Sequence, residues 1–319
     1  MPGECTELVR MLSSSVMRNR SEVLLLSGGL DSSILASILH PKCCITAAYG
    51  TDAPDTPFAA DVAKKYCKSH VTVALDDARM LEIVEEVVQI LKTFDPTEIR
   101  NASVALAGML RAKNDGYSSV MTGDGADELF AGYNYLSRYY SDLAKLDSEL
   151  RRLWEVMHFS SMKLAKHLGI DVRAPFLDEK FVKFAKSLAI HKKVGEHGGM
   201  KMGKFILREC YEPELGAKIA WRPKLAQEQG AATDNFHHYL DRNIEDPVFA
   251  RKAKAAQEEG VKLRGKEHLH YYALFRSYNP PPKEQACELR CPECRACMEP
   301  AGRYCRTCGA FPVTPVRLL

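Results

Sequence analysis

The sequence predicts an α/β protein: a doubly wound parallel sheet, then a helical second lobe and a small cysteine-rich C-terminal ribbon. Three observations carry this expectation. Short apolar runs alternate with helix-length periodic stretches through residues 21–140, the pattern of βαβ units. Beyond Tyr133 the strand signal fades into sequence rich in Lys, Glu, Ala and Leu at helical spacing. Six of the 11 cysteines fall within residues 287–319.

In chain order, residues 1–20 form an N-terminal extension, and Glu22 to Leu26 is a compact apolar strand ended by Ser27-Gly28-Gly29. Asp31 to Leu39 then reads as a helix stopped by Pro41. Cys44 to Tyr49 is a strand, Asp55 to Lys68 a helix and Val71 to Ala74 a third strand. Helical patterns cover 77–92 and 97–114, and Ser118 to Thr122 is a strand running into a Gly-rich turn. The α/β lobe spans 21–140. The helical lobe, 141–278, is punctuated by Pro175, Pro213, Pro223 and Pro247. Asn279-Pro-Pro-Pro282 opens a stiff linker over 279–286, because proline fixes φ and cannot continue a helix. The ribbon occupies 287–319.

The 319 residues are 46% apolar and 27% charged, which excludes a disordered or fibrous chain. A net charge of +3 is too small for a nucleic-acid binder that works through its overall charge. No apolar run reaches the roughly 18 residues of a membrane span, and the first 20 residues lack the pattern of a secretory signal, so the expected compartment is the cytoplasm. In a reducing compartment, clustered cysteines read as metal ligands rather than as a disulfide framework.

Ser27-Gly28-Gly29-Leu30-Asp31-Ser32-Ser33 lies between a buried strand and a helix, where backbone N–H groups and the helix dipole can hold a phosphate. Two glycines let the backbone approach an anion closely. The loop fits neither common nucleotide motif, has no lysine, and carries an aspartate where a metal could bridge phosphates. The alternative is a Gly-Gly turn whose Asp and Ser cap the next helix.

This loop resembles the pyrophosphate-binding loop of the ATP pyrophosphatases, which split ATP between its α and β phosphates. The resemblance runs for about 200 residues and narrows to the synthetase domain of the asparagine synthetase family, of adenine nucleotide α-hydrolase-like fold. Thr122-Gly-Asp-Gly-Ala-Asp-Glu-Leu-Phe-Ala-Gly-Tyr133 resembles the family's second signature and Val172-Arg-Ala-Pro-Phe-Leu-Asp178 its third. Lys204-Phe-Ile-Leu-Arg208 with Trp221-Arg-Pro-Lys224 resembles the segment carrying its catalytic lysine.

The resemblance implies that Ser27, Gly28, Gly29 and Ser32 contact pyrophosphate, that Asp31 and Asp127 hold Mg²⁺, and that Leu25, Tyr49, Thr122 and Gly123 line the ATP pocket. It makes Lys224 the cation at the α-phosphate and Asp124 the proton-handling group. Asp124 stands where the asparagine synthetases usually carry glutamate and a β-lactam-forming group carries tyrosine, a departure that bears on the nucleophile. Arg173 is expected to orient the lobes or the substrate. Aspartate and ammonia are the first-choice substrates, with a different amine or a separate glutaminase subunit as alternatives. Full-length relatives fuse a glutaminase with a cysteine nucleophile at position 2; here position 2 is Pro2, no room for that domain is expected, and Cys5 reads as an ordinary thiol. The competing reading is a tRNA-modifying ATP pyrophosphatase, and a third is a catalytically idle docking protein.

Cys291-Pro-Glu-Cys294 and Cys305-Arg-Thr-Cys308-Gly309 are two Cys-x-x-Cys knuckles, which suit tetrahedral Zn²⁺ and resemble short zinc ribbons. Cys287 and Cys297 are spares that an iron–sulfur site could use. Residues 283–319 carry six basic groups against four glutamates, so a four-thiolate zinc site leaves the module near neutral. Packing or partner docking is therefore its expected role, ahead of tRNA contact. His237-His238, His268 and His270 read as solvent-facing or core histidines, with no carboxylate at coordinating spacing.

Overall fold

The computed structural model describes residues 2–284, 286–300 and 302–317. Its centre is a five-stranded sheet in the order β3-β2-β1-β4-β5, with every pairing parallel. The strands are β1 (Val23–Leu25), β2 (Cys43–Tyr49), β3 (His70–Leu75), β4 (Ser119–Met121) and β5 (Asp171–Arg173). Successive strand residues point to opposite faces, and both faces are covered. Val23, Ile45 and Val120 join one apolar cluster, while Leu24, Cys44 and Met121 join the other.

Helices α4 (Asp77–Leu91) and α5 (Pro96–Asn114) cover the first face through Ile83, Val87, Leu106 and Met109. Asp76 and Asp95 cap them, each accepting a backbone N–H from the first turn. Helices α1 (Pro2–Arg18), α2 (Leu30–Leu39) and α3 (Thr56–Tyr66) cover the second face. The extension expected over 1–20 is thus mostly helix. Leu8, Leu12 and Val16, four residues apart, are fully buried, and Ser15 and Arg18 tie α1 to Pro175 and Asp178.

Helices α6 (Ala126–Leu129), α7 (Leu143–Val156) and α8 (Ser160–Leu168) follow β4, and α8 packs on α5. The segment expected as a helical lobe also supplies β5, whose residues 171–173 pair with 119–121. Three residues with a single apolar side chain, Val172, leave no period to read. An antiparallel hairpin, β6 (Val194–His197) and β7 (Met200–Gly203), turns at Gly198-Gly199, both at positive φ. The proline linker closes on a short 3₁₀ turn, Pro282–Glu284.

Cysteine pairing departs from the sequence reading. Cys5, expected as an ordinary thiol, bonds Cys210, because α1 crosses the helix Phe205–Leu215 with the two Cα atoms 5.2 Å apart. Cys44 bonds Cys67 where β2 begins and α3 ends, and Cys287 bonds Cys297. No disulfide was expected in a reducing compartment; the three bridges leave Cys291, Cys294, Cys305 and Cys308, the four expected metal ligands, as free thiols. Among the described residues no helix is long and apolar enough to cross a membrane.

Candidate active site and cysteine cluster

The strand order reverses between β1 and β4, and in parallel sheets ligands collect outside the carboxyl ends of the strands at such a point. Two glycine loops meet there, Ser27–Gly29 after β1 and Thr122–Gly125 after β4. Gly28 has φ +75°, and a Cβ on it would lie 2.4 Å from Ala59 N, so the loop packs directly on α3. Ser32 Oγ meets Ser27 Oγ at 3.1 Å and accepts the Ser27 N–H, closing the loop over the first turn of α2. Gly123 is less tightly packed, since a Cβ there would meet Asp31 Cβ at 3.2 Å.

The loops frame a cleft of about 560 Å³, the size range of small-molecule sites. Ser27, Gly29, Asp31 and Ser32 line it with Leu25, Thr122, Gly123, Asp124, Asp127 and Lys224. Its far wall comes from Thr97, Glu98 and Asn101 at the start of α5 and from His158–Ser161 at the start of α8. Tyr49 lies outside the lining: its hydroxyl donates to Asp77 and its ring stands edge-on to Phe236. Arg173 is also elsewhere, with its guanidinium 2.8 Å from Asp171.

Four charged groups form a chain across the floor. Lys204 Nζ lies 2.5 Å from Asp31 Oδ2 and 2.6 Å from Asp127 Oδ1, and Lys224 Nζ reaches Asp127 Oδ2 at 2.9 Å. Burial works against the Asp127 carboxylate, but the charges of Lys204 and Lys224 outweigh it and hold its pKa well below the usual range. Burial pulls Lys224 down, and Asp127 with Asp31 more than reverses this.

Lys204 is the residue that sequence reasoning passed over in favour of Lys224. Its side chain is only 2% exposed, its φ is +57°, and its N–H donates to the Phe130 carbonyl at 2.7 Å. Gly132 makes room, because a Cβ there would lie 2.0 Å from Asp127 Oδ1 and 2.2 Å from Lys204 Cε. The preceding hairpin delivers it, and Gly203 passes so close to Ala131 that a Cβ would meet its carbonyl at 1.9 Å. A lysine directly before an apolar helix start was the available signal.

Asp124 Oδ2 accepts hydrogen bonds from Thr122 Oγ1 at 2.8 Å and Ser161 Oγ at 2.5 Å. Burial raises its pKa, only partly offset by those hydroxyls. Burial likewise pushes Glu128 up to about 7, with Tyr133 OH donating to it at 2.6 Å. Arg222 stacks 3.7 Å over Phe58 and binds Asp55 at 2.5 Å, and Gly230 leaves space for that carboxylate.

This geometry coincides with a family match: the asparagine synthase model fits residues 7–161 and 149–263. The chain belongs to the asparagine synthase family. It is similar to asparagine synthetase B (glutamine-hydrolyzing) of Escherichia coli K12, 27% identical over 303 residues that make up 86% of this chain and 53% of the relative. It is 30% identical to the Gallus gallus glutamine-hydrolyzing asparagine synthetase over 83% of this chain and 50% of the relative. The Homo sapiens enzyme of the same name gives 28% over the same shares. The chain spans about half the length of the curated relatives it matches.

Outside the family match lies the ribbon. Cys291, Cys294, Cys305 and Cys308 are all buried, with their sulfurs within 4.8 Å of one another. Facing sulfurs are 3.8 Å apart for Cys291 and Cys308 and 3.6 Å for Cys294 and Cys305, and the Glu293 N–H points at Cys291 Sγ. The donor set fits a tetrahedral thiophilic ion. Cys287 and Cys297, the spare ligands of the sequence reading, are bonded to each other instead. His237 and His238 do gain a carboxylate neighbour, Asp241 one helical turn on, contrary to the sequence expectation.

Proposed function

We propose that this asparagine synthase family protein is an ATP- and Mg²⁺-dependent amide-forming ligase. The Asp31–Lys204–Asp127–Lys224 chain at the strand switch point is the observation that carries the reading. Asp31 Oδ1 is buried without a hydrogen-bond partner, and together with Asp127 it offers the hard oxygens that a divalent cation takes. Asp31 and Asp127 would hold Mg²⁺, which neutralises charge on the pyrophosphate when bound.

The substrate carboxylate attacks the α-phosphorus of ATP, and pyrophosphate leaves toward Ser27, Gly28, Gly29 and Ser32. Lys224, and with it Lys204, balances the charge that builds on the phosphates. An amine then attacks the acyl carbon, AMP departs, and the amine proton passes to Asp124, whose raised pKa makes it the stronger base. Leu25, Thr122 and Gly123 would border the nucleotide; Tyr49, outside the cleft lining, would not. Aspartate is the first-choice carboxylate. Ammonia, free or from a separate glutaminase subunit, is the first-choice amine, and the shorter Asp124 leaves space for a larger one.

Cys291, Cys294, Cys305 and Cys308 are proposed to hold one structural Zn²⁺. The cytoplasm is the proposed compartment, where the four buried thiols stay reduced and available to the metal.

The test is exchange of labelled pyrophosphate into ATP, offering aspartate, other amino acids and bulk tRNA in turn. Aspartate-dependent exchange, with amide formation from ammonium, is the expected result. Exchange promoted by tRNA alone would replace this reading with RNA modification.

A further inference from the structure

The geometry points to the ribbon as a metal-dependent strut that sets the far wall of the cleft, an inference that rests on the four cysteines binding a metal. The two residues inside the second knuckle, Arg306 and Thr307, reach the start of α5 and the approach to α8. Phe94 N–H donates to the Thr307 carbonyl at 2.8 Å, and Thr93 Oγ1 donates to the Arg306 carbonyl at 2.7 Å. The Arg306 guanidinium reaches the Val156 carbonyl, just before α8. Tyr304 donates to Asp95, the cap of α5, and Gly309 sits so close that a Cβ would lie 2.1 Å from Asp95 Oδ1. On the other side, Arg264 donates to the Cys308 carbonyl.

Thr93 to Asp95 and Val156 are not surface points chosen at random. Each leads within a few residues into the cleft: Asp95 to Thr97 and Glu98, Val156 to His158–Ser161. Ser160 and Ser161 then donate to Glu98 and Asp124, linking the two walls to the proton-handling group. Among the described residues the phosphate end has no such connection; Gly28 packs on α3, and Gly125 on Phe176 and Leu177. A metal that fixes the Cys305–Cys308 turn therefore fixes the substrate side of the cleft and leaves the nucleotide side to the sheet. Arg306 and Tyr304 are positioning residues, acting through α8 and α5.

The test uses the full chain, with zinc content measured first and hydrogen exchange compared before and after metal removal by a chelator. Expected are about one zinc per chain by the ligand count and, without it, roughly tenfold faster exchange of amides in 93–101 and 157–164, the loss of about one hydrogen bond at each contact. Residues 23–33 should exchange as before, and MgATP should bind with unchanged affinity. Should stripping unfold the protein, Arg306→Ala, with zinc retained, is expected to quicken 157–164 alone, and Tyr304→Phe to quicken 93–101. Absence of bound metal overturns the strut together with the metal reading. Zinc present with exchange unchanged on removal and in Arg306→Ala, or raised equally at 23–33, overturns the strut alone. Failure of MgATP to bind either form would sink the ligase reading and leave the exchange result to decide the strut.

Discussion

At the residue scale, Lys204 and Lys224 are alike in charge but not in surroundings. Lys204 is 2% exposed and bridges two carboxylates, whereas Lys224 is 30% exposed and meets one. Lys204→Met leaves Asp31 without its cation and Asp127 with Lys224 alone, so a stability loss of about 3–5 kcal/mol in denaturant unfolding is expected. Lys224→Met should cost far less stability, yet lower kcat by about 10²–10³, the scale of losing one donor to a developing charge. If the two variants unfold alike, the assigned division between them is wrong. The proton-handling role proposed for Asp124 belongs to the second half-reaction alone. Asp124→Asn keeps the hydroxyl contacts of Thr122 and Ser161 but cannot accept a proton, so pyrophosphate exchange should persist while amide release falls about 10²–10⁴-fold. Loss of exchange to the same degree would place Asp124 in the first step.

At the element scale, α1 and the start of α5 show what the sequence could and could not reveal. The parallel strands β1 to β4 were readable because they are short apolar runs cut by glycine and proline. α1 was overlooked although Leu8, Leu12 and Val16 repeat every fourth residue, and its partner across the fold, Cys210, could not be inferred from spacing. The same holds for Lys204, since the contacts of its side chain come from the first turns of α2 and α6, more than 70 residues earlier. The Cys5–Cys210 bridge closes a loop of 205 residues, so Cys5→Ser together with Cys210→Ser should cost about 2–4 kcal/mol in guanidinium unfolding. An unchanged midpoint would mean the bridge does not form. The cap of α5 predicts a pH dependence. Burial raises Asp95 to about 6 from the ordinary 3.8, so the folded state holds a proton that the unfolded chain has lost. Stability on this account is full below pH 4 and falls as pH rises through 6, by about 3 kcal/mol at most. Asp95→Asn preserves the cap and should flatten the difference in unfolding free energy between pH 4 and pH 7. A variant with the wild-type slope would remove Asp95 as its source.

At the scale of the whole molecule, the cleft lies where both apolar clusters end, against α5 from one face of the sheet and α2 from the other. A ligand held there touches both. The two glycine loops lead into α2 and follow β4, while Lys204 and Lys224 come from chain that follows β5. Binding therefore ties the early and late parts of the sequence together through charges that otherwise meet only each other. MgATP at about 100 times its dissociation constant should stabilise the folded state by about 2.7 kcal/mol. For a chain of this length that corresponds to a rise in Tm of roughly 4 °C by scanning calorimetry. Lys204→Met, lacking the cation between the two carboxylates, should show little of this rise even when its lower starting Tm is taken into account. A full shift in that variant would mean that MgATP binds without the charge chain, and that Lys204 serves the fold rather than the nucleotide.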